Sequence, residues 1–237
     1  MIYRIFPVLL FAVFAFTSAT PTKTEKPVKK TIAANEKSAV EMKIENVYGT
    51  LNAGKFALPT KQSFYKALEG FYKLKSQGVV AKDILTVIDF TMSSNTKRLW
   101  VIDLATNTVL FNSLCAHGRN TGDEFATKFS NKSESYMSSL GFYATGEIYN
   151  GKHGQSLKLD GLQAGVNDKA RARGVVMHAA DYVSESFIAA HRRLGRSQGC
   201  PALPNELTKE IIGTIKGKSL LFIYHPSGEK NFSKLLS

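Results

Sequence analysis

VVMHAADYVSESFIAAHRRLGRSQGCPALP, residues 175–204, holds one of only two cysteines in a chain of 237 residues. A structural cysteine more often sits among aliphatic neighbours. Cys200 instead follows Arg196, Ser197, Gln198 and Gly199 and precedes Pro201. Polar, glycine-bearing loops of this kind carry chemistry more often than packing. Upstream, RGVVMHA (173–179) reads as a short strand ending near His178. SESFIAAHRRLG (184–195) reads as a short helix capped by Ser184 and stopped by Gly195. Pro204 opens a further helix through about Ile215.

Outward from this stretch the chain alternates between helical and strand periodicity. LPTKQSFYKALEGFYKLKSQG (58–78) puts Leu58, Phe64, Ala67, Leu68, Phe71 and Leu74 on one helix face, with Thr60 as N-cap and Gly78 as stop. ILTVIDFTM (84–92) and KRLWVIDLATNTVLFNSLCAHG (97–118) read as strands, the second folded into a hairpin at ATNT. SLGFYATGE (139–147), SLKLDGL (156–162) and SLLFIYH (219–225) supply more strands, with His225 ending an edge strand. Hairpins outnumber βαβ units. The expected fold is α+β and mainly β, an antiparallel sheet or sandwich with peripheral helices.

The N-terminus predicts export. Arg4 precedes an apolar run, Ile5 to Phe16, followed by the small residues Thr17, Ser18 and Ala19, the pattern of a secretory signal over residues 1–19. The run is too short for the roughly 20 residues a spanning helix needs, and nothing later is long and apolar enough. TPTKTEKPVKKTIAANEKS (20–38) is rich in Lys, Thr and Pro, which predicts a flexible basic linker over 20–55. Residues 56–237 then form one domain. The net charge of +12 suits an anionic partner. No nucleic-acid motif is present, and export argues against that partner. The expected location is the periplasm or cell envelope.

Two readings of the cysteines stand side by side. An exported protein with two cysteines suggests a Cys115–Cys200 disulfide. Against this, Cys115 lies in the apolar pattern VLFNSLCA, while Cys200 has positive neighbours in Arg192, Arg193 and Arg196. Nearby positive charge and a histidine partner raise the thiolate fraction of a cysteine. His178 as base, Cys200 as nucleophile and the successive N–H groups of Gly199 and Cys200 as oxyanion donors make up the parts of acyl transfer. His117 and His153, each beside a glycine, are candidates for lining the substrate cleft, as is Arg196. Asp181 is placed either to orient His178 or to cap a turn; Trp100 and Tyr143 read as core. The five histidines show no metal-ligand spacing, and no metal or organic cofactor is expected.

A histidine followed by an insert and Ser-x-Gly-Cys resembles the signature of the YkuD-like L,D-transpeptidases. AHGRNTG (116–122), FSNKSESYMSSLGFYATGE (129–147), GKHGQSLKLDGL (151–162) and NDKARARGVVMHAADYVSE (167–185) resemble the murein L,D-transpeptidase catalytic-domain branch. The likeness runs from about Lys61 to Tyr224. It implies that Cys200 is the acylated nucleophile and His178 the base, with Ser197 and Gly199 at the flanking motif positions. Gln198 stands where the usual signature has His, and Pro201 and Ala202 where it has a hydrophobic residue and Asn or Arg. The insert between His178 and Ser197 is also longer than usual. These departures bear on the substrate pocket rather than on the nucleophile.

The resemblance implies a cysteine acyltransferase acting on peptidoglycan stem peptides. The thiolate attacks the carbonyl of the third stem residue, releases the terminal D-alanine, and passes the acyl group to an amine. Water as acceptor makes an L,D-carboxypeptidase instead. Papain-like hydrolases place Cys before His, contrary to the order here, and a caspase-like fold needs a parallel sheet with crossover helices. The rival outside enzymology is a non-catalytic wall-binding domain stapled by the disulfide.

Overall fold

The computed structural model describes residues 1–2 and 28–236, with side chains described at 1–2 and from residue 39 onward. Most of the predicted signal, and the linker up to residue 27, lie outside the described residues. The chain divides into two units, Met1–Ser38 and Ala39–Ser237. In the first, residues 28–38 are helical.

The second unit begins earlier than the composition predicts. Helix α1 spans Val28–Gly49, where a flexible linker is expected. Within residues 39–49 it places Val40, Ile44, Val47 and Tyr48 at helical spacing. Ile44 is buried, and the Tyr48 ring packs on Phe64 at 5.3 Å between centroids. Asn52 then bridges to Thr108. The second unit therefore includes residues 39–55, which the composition assigns to the linker. The Lys and Thr content of the preceding residues hides the short apolar stripe that docks the helix.

Helix α2 (Lys61–Ser76) forms as the periodicity dictates. The Thr60 hydroxyl accepts the Ser63 N–H, and Phe64, Ala67, Leu68, Phe71 and Leu74 are buried. Leu58 does not join that face; it precedes the helix and is exposed. At Gly70 the helix comes so close to the sheet that a Cβ would lie 2.1 Å from the Phe142 ring, an approach only glycine allows.

Eight strands form one sheet: β1 (Ile84–Asp89), β2 (Leu99–Asp103), β3 (Thr108–Ser113), β4 (Gly141–Gly151), β5 (Gly154–Gly161), β6 (Val176–Ala179), β7 (Ala202–Leu203) and β8 (Leu220–Tyr224). Their order is β3-β2-β1-β8-β4-β5-β6-β7. The sheet is mostly antiparallel, as expected, but β1 pairs with β8 and β6 with β7 in parallel. Past β3 the chain bridges from Ala116 to Ala202, so the two ends of the sheet meet and it nearly closes on itself. Strand β8 lies in the middle, between β1 and β4, and not at an edge. Burial on both faces explains why LLFIY is continuously apolar rather than alternating. His225, beyond it, accepts the Ser227 N–H and caps a 3-10 turn.

Helix α3 (Glu185–His191) is capped by Ser184, as expected, but ends at Arg192 in a left-handed conformation (φ 59°) rather than at Gly195. Helix α4 (Asn205–Ile215) follows Pro204, and α5 (Glu229–Leu236) buries Phe232 against Phe142 and Phe222. Trp100 and Tyr143 are core residues, their polar atoms bonded to the Ala57 and Ser139 carbonyls.

Candidate active site

The parallel pairing of β6 and β7 brings the histidine and the cysteine together. His178 pairs with Ala202, and in a parallel pair both strands run the same way. Cys200, two residues before Ala202, therefore lies beside Val176, two residues before His178. The Val176 N–H accordingly points at the Cys200 sulfur, 3.4 Å away. Residues two apart on a strand share a face, so the side chains of Val176 and His178 line the same side. Both, with Cys200, border a cavity of about 600 Å³.

The loop before Cys200 is held by its own polar groups. The Ser197 hydroxyl donates to the Cys200 carbonyl (2.6 Å) and accepts the Gly199 N–H (3.0 Å). The Ser197 backbone is tied on both sides to the 117–119 segment. Gly199 has φ +120°, and a Cβ there would sit 2.7 Å from the Met137 carbonyl oxygen. Ser197 thus shapes the turn, and it also lines the cavity. The Gly199 N–H is already used, so it is not the oxyanion donor expected from sequence. The Cys200 N–H has no acceptor among the described residues and remains the available donor.

Both pKa shifts favour the neutral pair. Burial raises the Cys200 thiol above its ordinary pKa, outweighing the Val176 N–H and the positive charge of Arg173. Burial also lowers His178, and His153 lowers it further, against the bond to the Ala179 carbonyl. His178 Nδ1–H donates to that carbonyl at 2.8 Å, which leaves Nε2 as the proton acceptor.

The predicted lining residues divide. His153 occupies the two-residue tip of the β4–β5 hairpin, stacks on His178 (4.4 Å between centroids, 22°) and lines the cavity. Arg196 lines it too, but donates to the Gly122 carbonyl at 3.2 Å and pairs with Asp123. His117 does not line it. It is buried behind the loop, where Arg98 donates to its Nδ1 (2.8 Å) and its Nε2–H donates to the Gly122 carbonyl (3.2 Å). Asp181 accepts from Asn205 and does not orient His178. Arg192 ends α3 through its backbone and is exposed, Arg193 donates to the Leu194 carbonyl, and the cation that acts on Cys200 is Arg173, which the local sequence does not single out. Its signal is position alone: an arginine three residues before the strand that carries His178.

The cysteines are not bonded to each other, which removes the basis for a stapled domain. Cys115 is fully buried, and burial pushes its thiol up to about 12 despite the nearby Arg98. Cys115→Ala is expected to keep full activity and cost about 1 kcal/mol, read by urea unfolding beside an acylation assay. Burial, followed by the Arg98 charge, holds His117 down at about 4. Its folded pKa lies below the unfolded value, so the stability it contributes is present above pH 6.5 and lost as pH falls towards 4. The expected loss is about 3 kcal/mol between those limits. Urea midpoints at pH 7.5 and 4.5 check it: wild type should fall further than His117→Asn.

The family model for L,D-transpeptidase catalytic domains matches residues 58–224. The chain belongs to that family. No curated protein matches it. Among solved structures, an L,D-transpeptidase from Mycobacterium smegmatis is 11% identical over 60% of this chain and 59% of its own, with a TM-score of 0.38. One from Stackebrandtia nassauensis is 14% identical over 78% and 76%, with a TM-score of 0.37. One from Mycobacterium tuberculosis is 13% identical over 60% and 58%, with a TM-score of 0.35. The chain thus spans under two thirds of the two mycobacterial proteins, and these values add nothing to the family match. The matched L,D-transpeptidase region contains His178, Cys200 and every cavity-lining residue. Among the described residues no helix is long and apolar enough to cross a membrane.

Proposed function

We propose that this chain is an exported cysteine acyltransferase that acts on peptidoglycan stem peptides and forms cross-links through a Cys200 thioester. The observation that supports the reading is the β6–β7 register, with Cys200 beside Val176 and His178 two residues further along the same strand face, both on one cavity and His178 with its Nε2 unbonded.

In the first step the Cys200 S–H proton passes to His178 Nε2 as sulfur attacks the carbonyl carbon of the third stem residue. The C=O π pair moves to oxygen, where the Cys200 N–H faces the developing charge. Collapse breaks the C–N bond to the terminal D-alanine, whose amine takes the proton from His178. An amine from a second stem then attacks the thioester and gives its proton to His178; the C–S bond breaks, and the departing sulfur takes that proton back. His153 and Arg196 border the space the stem peptide would occupy, and Ser197 and Gly199 hold Cys200 in place. Neither step needs a metal or an organic cofactor. Export rests on the apolar run and small residues of the first 19 positions.

Incubation with disaccharide-tetrapeptide, read by liquid chromatography and mass spectrometry, tests this. Cross-linked dimer with release of D-alanine is the expected result. Tripeptide alone would mean water is the acceptor and the chain an L,D-carboxypeptidase. Unchanged tetrapeptide would remove the peptidoglycan reading.

A further inference from the structure

Arg173 lies three residues before the strand that carries His178, and it is half-buried at the cavity wall. Its guanidinium donates to the Ser130 carbonyl (2.9 Å), Ser139 Oγ (2.6 Å), Ser135 Oγ (3.3 Å) and the Met137 carbonyl (2.7 Å). Every one of these acceptors is uncharged. Neither Asp nor Glu pairs with it among the described residues, whereas Arg171, two residues earlier, is paired with Glu147 and Asp160. A half-buried cation surrounded only by neutral acceptors lacks the partner that ordinarily compensates its desolvation.

The same contacts place that charge against the nucleophile's turn. Arg173 Nη2 lies 3.4 Å from where a Cβ on Gly199 would be. The segment it grips, 130–139, reaches the turn as well: Ser138 Oγ donates to the Gly199 carbonyl at 3.2 Å. Two non-glycine residues of that segment, Glu134 and Tyr136, have positive φ (56° and 52°), a costly conformation that neighbouring contacts must hold.

We propose that Arg173 is an electrostatic positioning residue whose missing counter-ion is the negative charge that acyl transfer creates, first on the Cys200 sulfur and then on the attacked carbonyl oxygen. The resting thiol and imidazole are neutral, so deprotonation puts a new anion beside an uncompensated cation in a partly desolvated site. Burial weakens the hold of Arg173 on its proton, and Tyr143 and Cys200 are the groups that strengthen it. The other ionisable groups bordering the cavity are His178 on β6, Tyr182 after it, Tyr149 on β4, His153 and Lys152 at the hairpin tip, Glu134 and Tyr136 on the gripped segment and Arg196 before the turn. None of them pairs with Arg173. The inference rests on Cys200 being the nucleophile, but its test needs no peptidoglycan.

The experiment is alkylation of the full chain with iodoacetamide from pH 6 to 11, read by intact mass, in wild type, Arg173→Met, Arg173→Gln and Arg173→Lys. Both neutral variants should shift the midpoint of Cys200 alkylation up by about one pH unit or more. Arg173→Lys, which keeps the charge but not the fork of hydrogen bonds, should stay near wild type while its Tm falls. A purely structural role predicts the reverse: lysine as impaired as the neutral variants, or all midpoints equal. Folded neutral variants with the wild-type midpoint overturn the proposal. Should neither neutral variant fold, Arg173→Lys decides alone: a wild-type midpoint with a lower Tm supports it, and a raised midpoint overturns it. Normal alkylation behaviour without turnover of tetrapeptide would count against the peptidoglycan reading and not against Arg173.

Discussion

Cys200→Ala should lose acyl transfer by about 10⁴-fold or more at neutral pH, while its Tm stays within about 2 °C of wild type. The two halves of this expectation have separate causes. In the proposed mechanism the sulfur forms the thioester, and nothing else bordering the cavity combines a nucleophilic atom with the β6–β7 register to His178. The side chain is only half-buried, and the turn that carries it is held by Ser197 and Ser138 rather than by the thiol. Product formation from disaccharide-tetrapeptide and thermal unfolding by circular dichroism check the two halves. A folded Cys200→Ala protein with wild-type activity would sink the mechanism.

His178→Ala should slow acylation of Cys200 by about 10²–10⁴-fold at pH 7. The size of the loss depends on pH in a direction fixed by the two shifts. Burial raises the thiol and lowers the imidazole, so wild type starts from the neutral pair and needs His178 unprotonated. Its rate should therefore hold through neutral pH and fall only as pH drops below the ordinary imidazole value of 6.5. Without His178 that acid limb disappears. The rate should instead climb steadily towards the raised thiol pKa, as hydroxide takes over deprotonation, and the gap to wild type should narrow. Acylation rates by intact mass across pH 5–10 give both profiles. Equal rates at pH 7 would remove His178 from the base role, and His117 is no substitute, since both its ring nitrogens are bonded inside the protein.

The parts of this protein that could be read from sequence are those where one local pattern decides. Thr60 and the Phe64–Leu74 stripe specify α2 because a cap and a 3.6-residue period act within a single element. The turn at Ala105–Asn107 similarly specifies the β2–β3 hairpin. Helix α1 was missed because its docking face is short and follows a Lys- and Thr-rich run. The middle position of β8 was missed because pairing with β1 and β4 joins residues far apart in the chain.

The site divides along the same line. Cys200, Ser197 and Gly199 stand in one short motif, and their chemical setting shows in their neighbours. His178 needs the parallel register with β7, which only the motif's resemblance to a known family could suggest. His117 reads like a cleft residue because it follows a strand and precedes a glycine, yet Arg98, from the neighbouring strand region, buries it. The electrostatics are hidden for a related reason. Arg192, Arg193 and Arg196 are near Cys200 in sequence, but Arg192 is exposed at the end of α3, and the Leu194 carbonyl and Asp123 hold the other two. Arg173 is 27 positions away and reaches the turn through the fold.

The claim on which the rest depends is that Cys200 carries the acyl group. Brief incubation of the mature protein with disaccharide-tetrapeptide, acid quench, intact-mass measurement and peptide mapping test it directly. The expected result is a single adduct with the mass of the donor less D-alanine, carried by the peptide containing Cys200 and absent from Cys200→Ala. An adduct on Cys115, or product formed with no adduct on any cysteine, would contradict the account.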